Sequence, residues 1–131
     1  MSEPNPEPKP IEEAVFEELT VAETGVPVEA EIVAIISGKC IDFPAVQRIR
    51  NEAIKQRWLE RENAECIQIT IKVDNTEYTL FPIRRSQNTR STFYRLLKTY
   101  GEKIGNKYVL KPGAKIKVVF TERGFPRVYL P

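Results

Sequence analysis

The sequence feature that most restricts the fold is the alternating segment from Ile67 to Val73. Four aliphatic side chains occupy every second position and polar side chains separate them: Ile67, Ile69, Ile71 and Val73, with Gln68, Thr70 and Lys72 between. Successive side chains on a β-strand point to opposite faces of its sheet, so this spacing predicts a strand with one buried face. The pair Asp74-Asn75 then predicts a turn into a second strand, Glu77 to Ile83, in which Thr79, Phe81 and Ile83 share one face. Together the two strands predict a β-hairpin.

Three further segments have the composition or spacing of strands. Residues 26–36, VPVEAEIVAII, place five apolar side chains on one face: Val28, Ala30, Ile32, Ala34 and Ile36. Ser37-Gly38 is predicted to end this strand. Residues 114–120, AKIKVVF, alternate apolar side chains with lysines. Residues 125–130, FPRVYL, form the last predicted strand, which follows a turn at Glu122-Arg123-Gly124.

Two segments have helical patterns. Residues 44–64 begin with a proline, contain no further Gly or Pro and carry several basic side chains, which predicts one long basic helix. A second helix begins near Thr89 or Ser91, either of which is a suitable N-cap, and Gly101 ends it. Its apolar side chains have the spacing of one helical face: Phe93, Leu96, Leu97 and Tyr100. A loop containing Gly105 is predicted to follow.

The charges are divided unevenly along the chain. Residues 1–31 hold nine of the eighteen acidic side chains and a single base, Lys9, and therefore carry −8. Residues 32–131 hold nineteen bases and nine acids, and therefore carry +10. A basic body predicts a polyanionic partner, and an acidic segment beside it can compete for the same surface.

The N-terminal composition predicts a domain boundary near Gly25. Residues 1–24 are rich in Pro and Glu and are predicted to form a flexible acidic tail. Residues 11–24 within it have an approximately helical apolar stripe, which indicates a short helix or a segment that folds on a protein partner. Residues 25–131 form the predicted folded domain. The chain has neither a long apolar run nor a signal-peptide layout, so we expect a cytoplasmic protein without a membrane partner.

Residue types suited to catalysis and metal binding are scarce. The chain has no histidine, and its two cysteines, Cys40 and Cys66, lie outside any Cys-x-x-Cys spacing. Zinc sites and histidine-dependent nucleophilic catalysis therefore have few candidate residues. We predict a protein that is not an enzyme and that uses no cofactor or metal. The cysteines are expected to be core thiols, with a single disulfide as the alternative.

The order of the predicted elements is strand, helical insert, strand, strand, helix, strand, strand. This order resembles the OB-fold, a small Greek-key barrel of five strands that often holds single-stranded nucleic acid. The resemblance covers residues 26–131 and concerns topology and strand pattern. It implies an α+β, mainly β domain: an OB-like five-stranded barrel with a helical insert between strands 1 and 2 and a helix between strands 3 and 4. A mixed α+β fold with a curved sheet satisfies the same pattern.

The resemblance also implies a surface that binds single-stranded nucleic acid. OB-folds bind across strands 2 and 3, between the loop that joins strands 1 and 2 and the loop that joins strands 4 and 5. The arginine-rich segment 84–90 adds cations next to a helix N-terminus, where phosphates bind. Phosphate contacts are predicted for Lys72, Arg84, Arg85, Arg90, Arg123 and Arg127, and base stacking for Phe81 and Phe125. We predict single-stranded DNA in preference to RNA as the ligand.

Two other functions fit the same sequence. Residues 44–64 would form the recognition helix of a duplex-DNA regulator, with Arg50, Arg57 and Arg61 as the groove-reading residues. Residues 11–24 would instead bind a protein partner in an assembly factor. The acidic tail also suggests self-competition, in which it lowers the affinity for nucleic acid by covering the basic body.

Overall fold

The computed structural model describes residues 21–131, which form a strongly curled β-sheet and three short helices. The strands are β1 (Val21–Ala22), β2 (Val28–Lys39), β3 (Glu65–Val73), β4 (Thr76–Thr79), β5 (Ile83–Arg84), β6 (Glu102–Ile104), β7 (Lys107–Val109), β8 (Lys115–Phe120) and β9 (Pro126–Tyr129). The helices are α1 (Pro44–Gln47), α2 (Glu52–Glu60) and α3 (Thr92–Tyr100), and a 3₁₀ turn at Cys40–Asp42 precedes α1. The predicted α+β class is confirmed.

The main sheet curls into a half-barrel. Its strand order is β1-β9-β8-β2-β3-β4, and β5 pairs with β3 beyond the end of β4. The strands β2, β3 and β4 are antiparallel neighbours, and β8 returns to lie beside β2. The order β8-β2-β3-β4 is that of a Greek key. The short strand β1 extends the sheet by pairing in parallel with β9.

The core lies on the concave side of this sheet. The predicted alternation of β3 is confirmed, since Ile67, Ile69 and Ile71 are buried whereas Lys72 is exposed. The larger buried side chains that pack with them come from β2, β5, α3, β8 and β9: Ile32, Ile83, Leu96, Ile116, Val118 and Val128. Each such side chain contributes roughly 1.5–3 kcal/mol when it is fully buried. This single cluster therefore supplies most of the apolar stabilisation of the sheet.

The strand β2 departs from the predicted pattern in the middle. Its pairing with β3 shifts by one residue between Ile32 and Ala34, which is a β-bulge. A bulge moves the following side chains to the opposite face. Ile35 therefore packs against the core, and Ile36 is 55% exposed. The prediction that Ile36 shares a face with Ile32 is wrong.

The predicted end of β2 at Ser37-Gly38 is also wrong. The strand continues to Lys39, because Ser37 pairs with Ile67 and Gly38 pairs with Cys66 of β3. A glycine is tolerated here because the ladder continues on both sides of it. The result is a twelve-residue strand that pairs with β8 through its first part and with β3 through its second part.

The second strand of the predicted hairpin is interrupted. The strand β4 ends at Thr79, and pairing resumes only at Ile83 in β5. Pro82 lies between them, and proline has no N–H to donate to a sheet ladder. Because of the interruption, the Ile83 side chain points into the core, where it is 1% exposed. The prediction that Ile83 shares a face with Thr79 is therefore wrong.

The single helix predicted over residues 44–64 is wrong. The structure has α1, which ends at Gln47, and α2, which begins at Glu52. Asn51 starts α2 as its N-cap, and its Oδ1 accepts a hydrogen bond from Ile54 N at 3.1 Å. Asparagine favours caps because its side chain competes for backbone N–H groups. The break allows Val46 and Trp58 to enter one small apolar cluster.

The helix α3 is confirmed, with Ser91 as its N-cap and Gly101 at its end. It packs against the last strand, where the Tyr100 hydroxyl donates to the carbonyl oxygen of Tyr129 and Arg95 donates to that of Leu130. Burial raises the pKa of Tyr100 above its usual value. The predicted loop after α3 is instead a hairpin of β6 and β7, whose turn contains Gly105.

The prediction that the cysteines are free thiols is wrong, because Cys40 and Cys66 form a disulfide. Cys40 directly follows β2 and Cys66 is the second residue of β3, so their Cα atoms are only 4.8 Å apart. The strand pairing, rather than any sequence spacing, brings them together. The bridge closes the helical insert that contains α1 and α2.

The first described residues belong to the sheet. Val21, which is 6% exposed, joins the core, and Leu130 N donates to Ala22 O at 3.0 Å. The sequence assigned both residues to the acidic tail. Most of the helix predicted for residues 11–24 falls outside the described residues. Within residues 21–131, no helix has the length and apolar character needed to cross a membrane.

Gly101 is expected to be sensitive to substitution. A Cβ at this position would lie 2.9 Å from Val109 O and closer still to Leu97 O. Both neighbours are backbone atoms, so Gly101→Ala should lower the free energy of unfolding by about 1–3 kcal/mol. Chemical denaturation of the two proteins measures this difference.

Gly38→Ala is the matched control for that substitution. A Cβ on Gly38 would meet only the Phe43 ring at 3.6 Å, which is an ordinary contact. We expect its unfolding free energy to stay close to that of the unchanged protein. Equal losses from the two alanine variants would contradict the assigned backbone contacts of Gly101.

Candidate nucleic-acid interface

An open groove of about 1330 Å³ lies on the surface of the half-barrel. Its lining comes from β1, α1, β3, the end of β4 and the hairpin of β8 and β9. Gln68 of β3 and Thr79 at the end of β4 are polar residues of this lining, and both lie on the non-core side of the hairpin. The groove therefore contains residues of the predicted hairpin and of the turn between the last two strands.

The groove brings together four of the eight predicted contact residues. These four are Phe81, Arg123, Phe125 and Arg127. The other four, Lys72, Arg84, Arg85 and Arg90, are absent from its lining. Lys72 lies on β3 between Glu31 and Glu77 of the neighbouring strands. The remaining three lie in or after β5 and before α3.

The hairpin turn between β8 and β9 presents an aromatic side chain to solvent. Phe125 is 65% exposed, although its backbone is tightly held. Thr121 N donates to Phe125 O at 2.8 Å, and Phe125 N donates to Thr121 Oγ1 at 3.2 Å. Gly124 has φ +83°, a conformation that glycine adopts without strain and that completes a three-residue loop. Phe125 is thus a pre-positioned apolar surface beside Arg123.

Another aromatic side chain of the groove, Phe81, has a structural role as well. Phe81 is half-buried, and its ring packs edge-on against Trp58 with 5.7 Å between ring centroids. Trp58 itself is 7% exposed and belongs to the small cluster under the insert. Only Phe81 of this pair lines the groove. Trp58 is a core residue.

Sequence reasoning missed Arg48 as a site residue. It follows α1 as its C-cap, is exposed, and lines the groove together with residues of the β8–β9 turn. Pro44 and Ala45 of α1 also line the groove. The signal was available, because the resemblance placed one flank of the site in the loop between strands 1 and 2. The prediction of one long helix over residues 44–64 placed the basic side chains of the insert on helical faces, so Arg48 was not recognised as a lining residue.

The charges that line the groove are three arginines and two glutamates: Arg48, Arg123, Arg127, Glu23 and Glu122. Among residues 21–131, none of these arginines has a carboxylate partner; the ion pair of Lys115 with Glu31, at 3.6 Å, lies elsewhere. Guanidinium groups without an internal partner can bind phosphate oxygens without first breaking an ion pair.

The segment before α3 has a different environment. Arg85 N donates to Glu65 O at 2.8 Å, and the Arg85 guanidinium carbon lies 5.7 Å from the centre of the Phe93 ring. Ser91 Oγ accepts from Tyr94 N, and Asn88 Oδ1 accepts from Arg90 N. Some backbone N–H groups at this helix start therefore already have acceptors, which reduces their capacity to bind a phosphate.

Metal ligands are not grouped in the described part of the chain: no three His, Cys, Asp or Glu side chains there are placed to hold a metal ion. Comparisons of the protein with family models, with curated proteins and with solved structures found no match. The groove residues themselves are the basis for assigning a function.

Two of the three phenylalanines that line the groove should respond differently to truncation. Phe125→Ala should leave the melting temperature nearly unchanged, because the side chain is mostly exposed. Phe81→Ala should lower it by several degrees, because the variant loses the contact with Trp58. Thermal unfolding followed by circular dichroism measures both. A large loss in Phe125→Ala would show that this side chain supports the fold rather than a ligand.

Proposed function

We propose that the protein binds single-stranded nucleic acid in this groove and catalyses no reaction. The observation that carries the proposal is the β8–β9 turn, which presents the exposed ring of Phe125 in a groove that Arg123, Arg48 and Phe81 also line. Single-stranded bases stack on aromatic rings, at roughly 1–3 kcal/mol per base, while cations follow the phosphates. The groove combines these two features.

The strand order supports an OB-like barrel as the framework for this function. In the proposed correspondence, β2, β3, β4, β8 and β9 are strands 1 to 5, and α3 lies between strands 3 and 4. The insert with α1 and α2 replaces the loop between strands 1 and 2. The β8–β9 turn is then the loop between strands 4 and 5, which flanks the ligand in this fold.

The form of the site favours a single strand over a duplex. Duplex readers insert a helix or a β-ribbon into the major groove of DNA. The long helix required by the duplex hypothesis is divided here, and Arg50 lies before α2 while Arg61 is its C-cap. The exposed aromatic ring of Phe125 in an open groove instead suits bases that are not already paired and stacked. DNA is the proposed ligand, with RNA as the comparison in the binding assay.

The decisive test compares two pairs of exposed arginines by fluorescence anisotropy with a labelled single-stranded oligonucleotide. Arg48→Gln with Arg123→Gln should lower the affinity by about tenfold and make the dependence of log affinity on log salt shallower by about 1.4, or 0.7 per phosphate lost. Arg85→Gln with Arg90→Gln removes the same charge outside the groove lining and is the matched control. We expect a smaller loss of affinity from the control pair.

The outcomes of this assay separate the hypotheses. An equal loss of affinity in both double variants would mean that the nucleic acid also contacts the residues before α3, as the sequence predicted. Preference for duplex of equal length would favour the regulator hypothesis. If neither form binds at low salt, the proposed function is wrong and a protein partner becomes the better explanation.

Self-competition by the acidic segment remains a prediction, because residues 1–20 lie outside the described residues. Their attachment point is informative, since Val21 lines the groove. A segment tethered at a site has an effective concentration of about 1 mM there. Replacing its four central glutamates, Glu12, Glu13, Glu17 and Glu18, by glutamine should therefore tighten binding at low salt by about threefold or more.

The control for self-competition is a second set of four substitutions with the same change in charge. The exposed glutamates Glu60, Glu62, Glu77 and Glu102 do not line the groove and are changed to glutamine. If both sets tighten binding equally, the effect comes from total charge rather than from the N-terminal segment.

A further inference from the structure

Much of the positive charge of the protein lies outside the groove. Residues 78–121 hold ten of the twenty basic side chains and a single acidic one, Glu102. None of these ten basic residues lines the groove. The helix α3 and the hairpin of β6 and β7 both fall within this range. This part of the surface therefore attracts anions independently of the groove.

The β6–β7 hairpin is fixed against α3. It begins directly after the helix, where Gly101 N donates to Leu97 O at 2.7 Å. The rings of Tyr94 on α3 and Tyr108 on β7 meet edge to face, with 6.2 Å between their centroids. Edge-to-face contacts of this kind stabilise aromatic pairs. The helix and the hairpin therefore present one joint surface.

Two lysines belong to this joint surface. Lys98 is four residues after Tyr94 in α3 and shares its helical face. Lys103 is the register partner of Tyr108, so their side chains lie on the same face of the hairpin. Glu102 precedes Lys103 on β6, so its side chain lies on the opposite face. The four residues Tyr94, Lys98, Lys103 and Tyr108 are called the tyrosine–lysine patch, and none of them is acidic.

The patch has the chemistry of a site for single-stranded nucleic acid. Lys98 and Lys103 are exposed, and within residues 21–131 neither has a carboxylate partner. They can therefore contact phosphates without first breaking an ion pair. The half-buried rings of Tyr94 and Tyr108 supply planar surfaces beside these cations, and bases stack on such rings.

An anionic membrane is a less suitable ligand for this surface. Membrane-surface elements bury large apolar side chains between the lipid headgroups. The exposed large apolar side chain of the hairpin is Ile104, which neighbours Lys103 on β6 and therefore lies on the opposite face from the patch.

We propose that the tyrosine–lysine patch is a second contact for the single strand that occupies the groove, so that the protein binds a longer strand than the groove alone holds. This inference rests on the proposed function for the identity of its ligand. The groove holds one segment of the strand through Arg48, Arg123 and Phe125, and the patch holds another through Lys98 and Lys103. Two contacts on one strand raise each other's effective concentration. Affinity therefore increases with strand length.

Fluorescence anisotropy with two labelled oligothymidylates tests the patch. One has about 6 nucleotides, and the other, of about 20, exceeds the roughly 4–16 nucleotides that one OB-fold holds. Lys98→Gln with Lys103→Gln should lower the affinity for the longer strand by about fivefold and make the dependence of log affinity on log salt shallower by about 1.4, or 0.7 per phosphate lost. The affinity for the shorter strand should change by less than about twofold.

Lys39→Gln with Lys117→Gln is the matched control. Both lysines are exposed and lie outside the groove lining and the patch, and the change in charge is the same. We expect this pair to lower the affinity for the longer strand less than the patch pair does. An equal loss of affinity in the two pairs would overturn the inference, and so would an equal loss for both strand lengths, because the effect would then come from overall charge.

The same assay separates the patch from the groove. If Arg48→Gln with Arg123→Gln lowers the affinity for the longer strand and the patch substitutions do not, the proposed function is supported and the patch inference is wrong. If only the patch substitutions lower it, the patch contact is supported and the assignment of the groove is wrong.

Discussion

The structure depends on the pairing of one long strand with two different neighbours. The strand β2 forms hydrogen bonds with β8 through its first residues and with β3 through its last, and Glu31 is the residue at which both ladders meet. The bulge after Ile32 increases the local twist. Because β2 changes partner as it twists, the sheet curls around the aliphatic core instead of remaining open and flat. The groove includes Gln68 and Thr79, which lie on the face of β3 and β4 that is turned away from this core.

The two flanks of the groove are held by different kinds of interaction. The β8–β9 turn is short and is fixed by its own backbone and Thr121 hydrogen bonds, so Phe125 is presented without burial. The insert is long, its ends are joined by the disulfide, and its buried side chains form the cluster around Trp58. The proposed function uses both flanks, with Phe125 and Arg123 from the turn and Arg48 from the insert.

The sequence predicted the parts of the fold that are set by local patterns. The alternation in β3, the cap at Ser91, the end of α3 at Gly101 and the turn before Phe125 all depend on residues close together in the chain. The errors came from long-range effects. The bulge in β2 and the inward turn of Ile83 appear only when partner strands are present, and the disulfide depends on β2 and β3 lying side by side. Arg48 was missed for the same reason, since its role follows from where the insert docks.

The central claim is that single-stranded nucleic acid occupies the groove between α1 and the β8–β9 turn. Amide chemical-shift mapping of the ¹⁵N-labelled, oxidised full-length protein during titration with an oligothymidylate tests this claim most directly. The account predicts the largest shifts at residues 121–127, at Arg48 and around Gln68 and Phe81, with saturation. Saturable shifts confined to residues 84–95, or none at a low salt concentration, would contradict it.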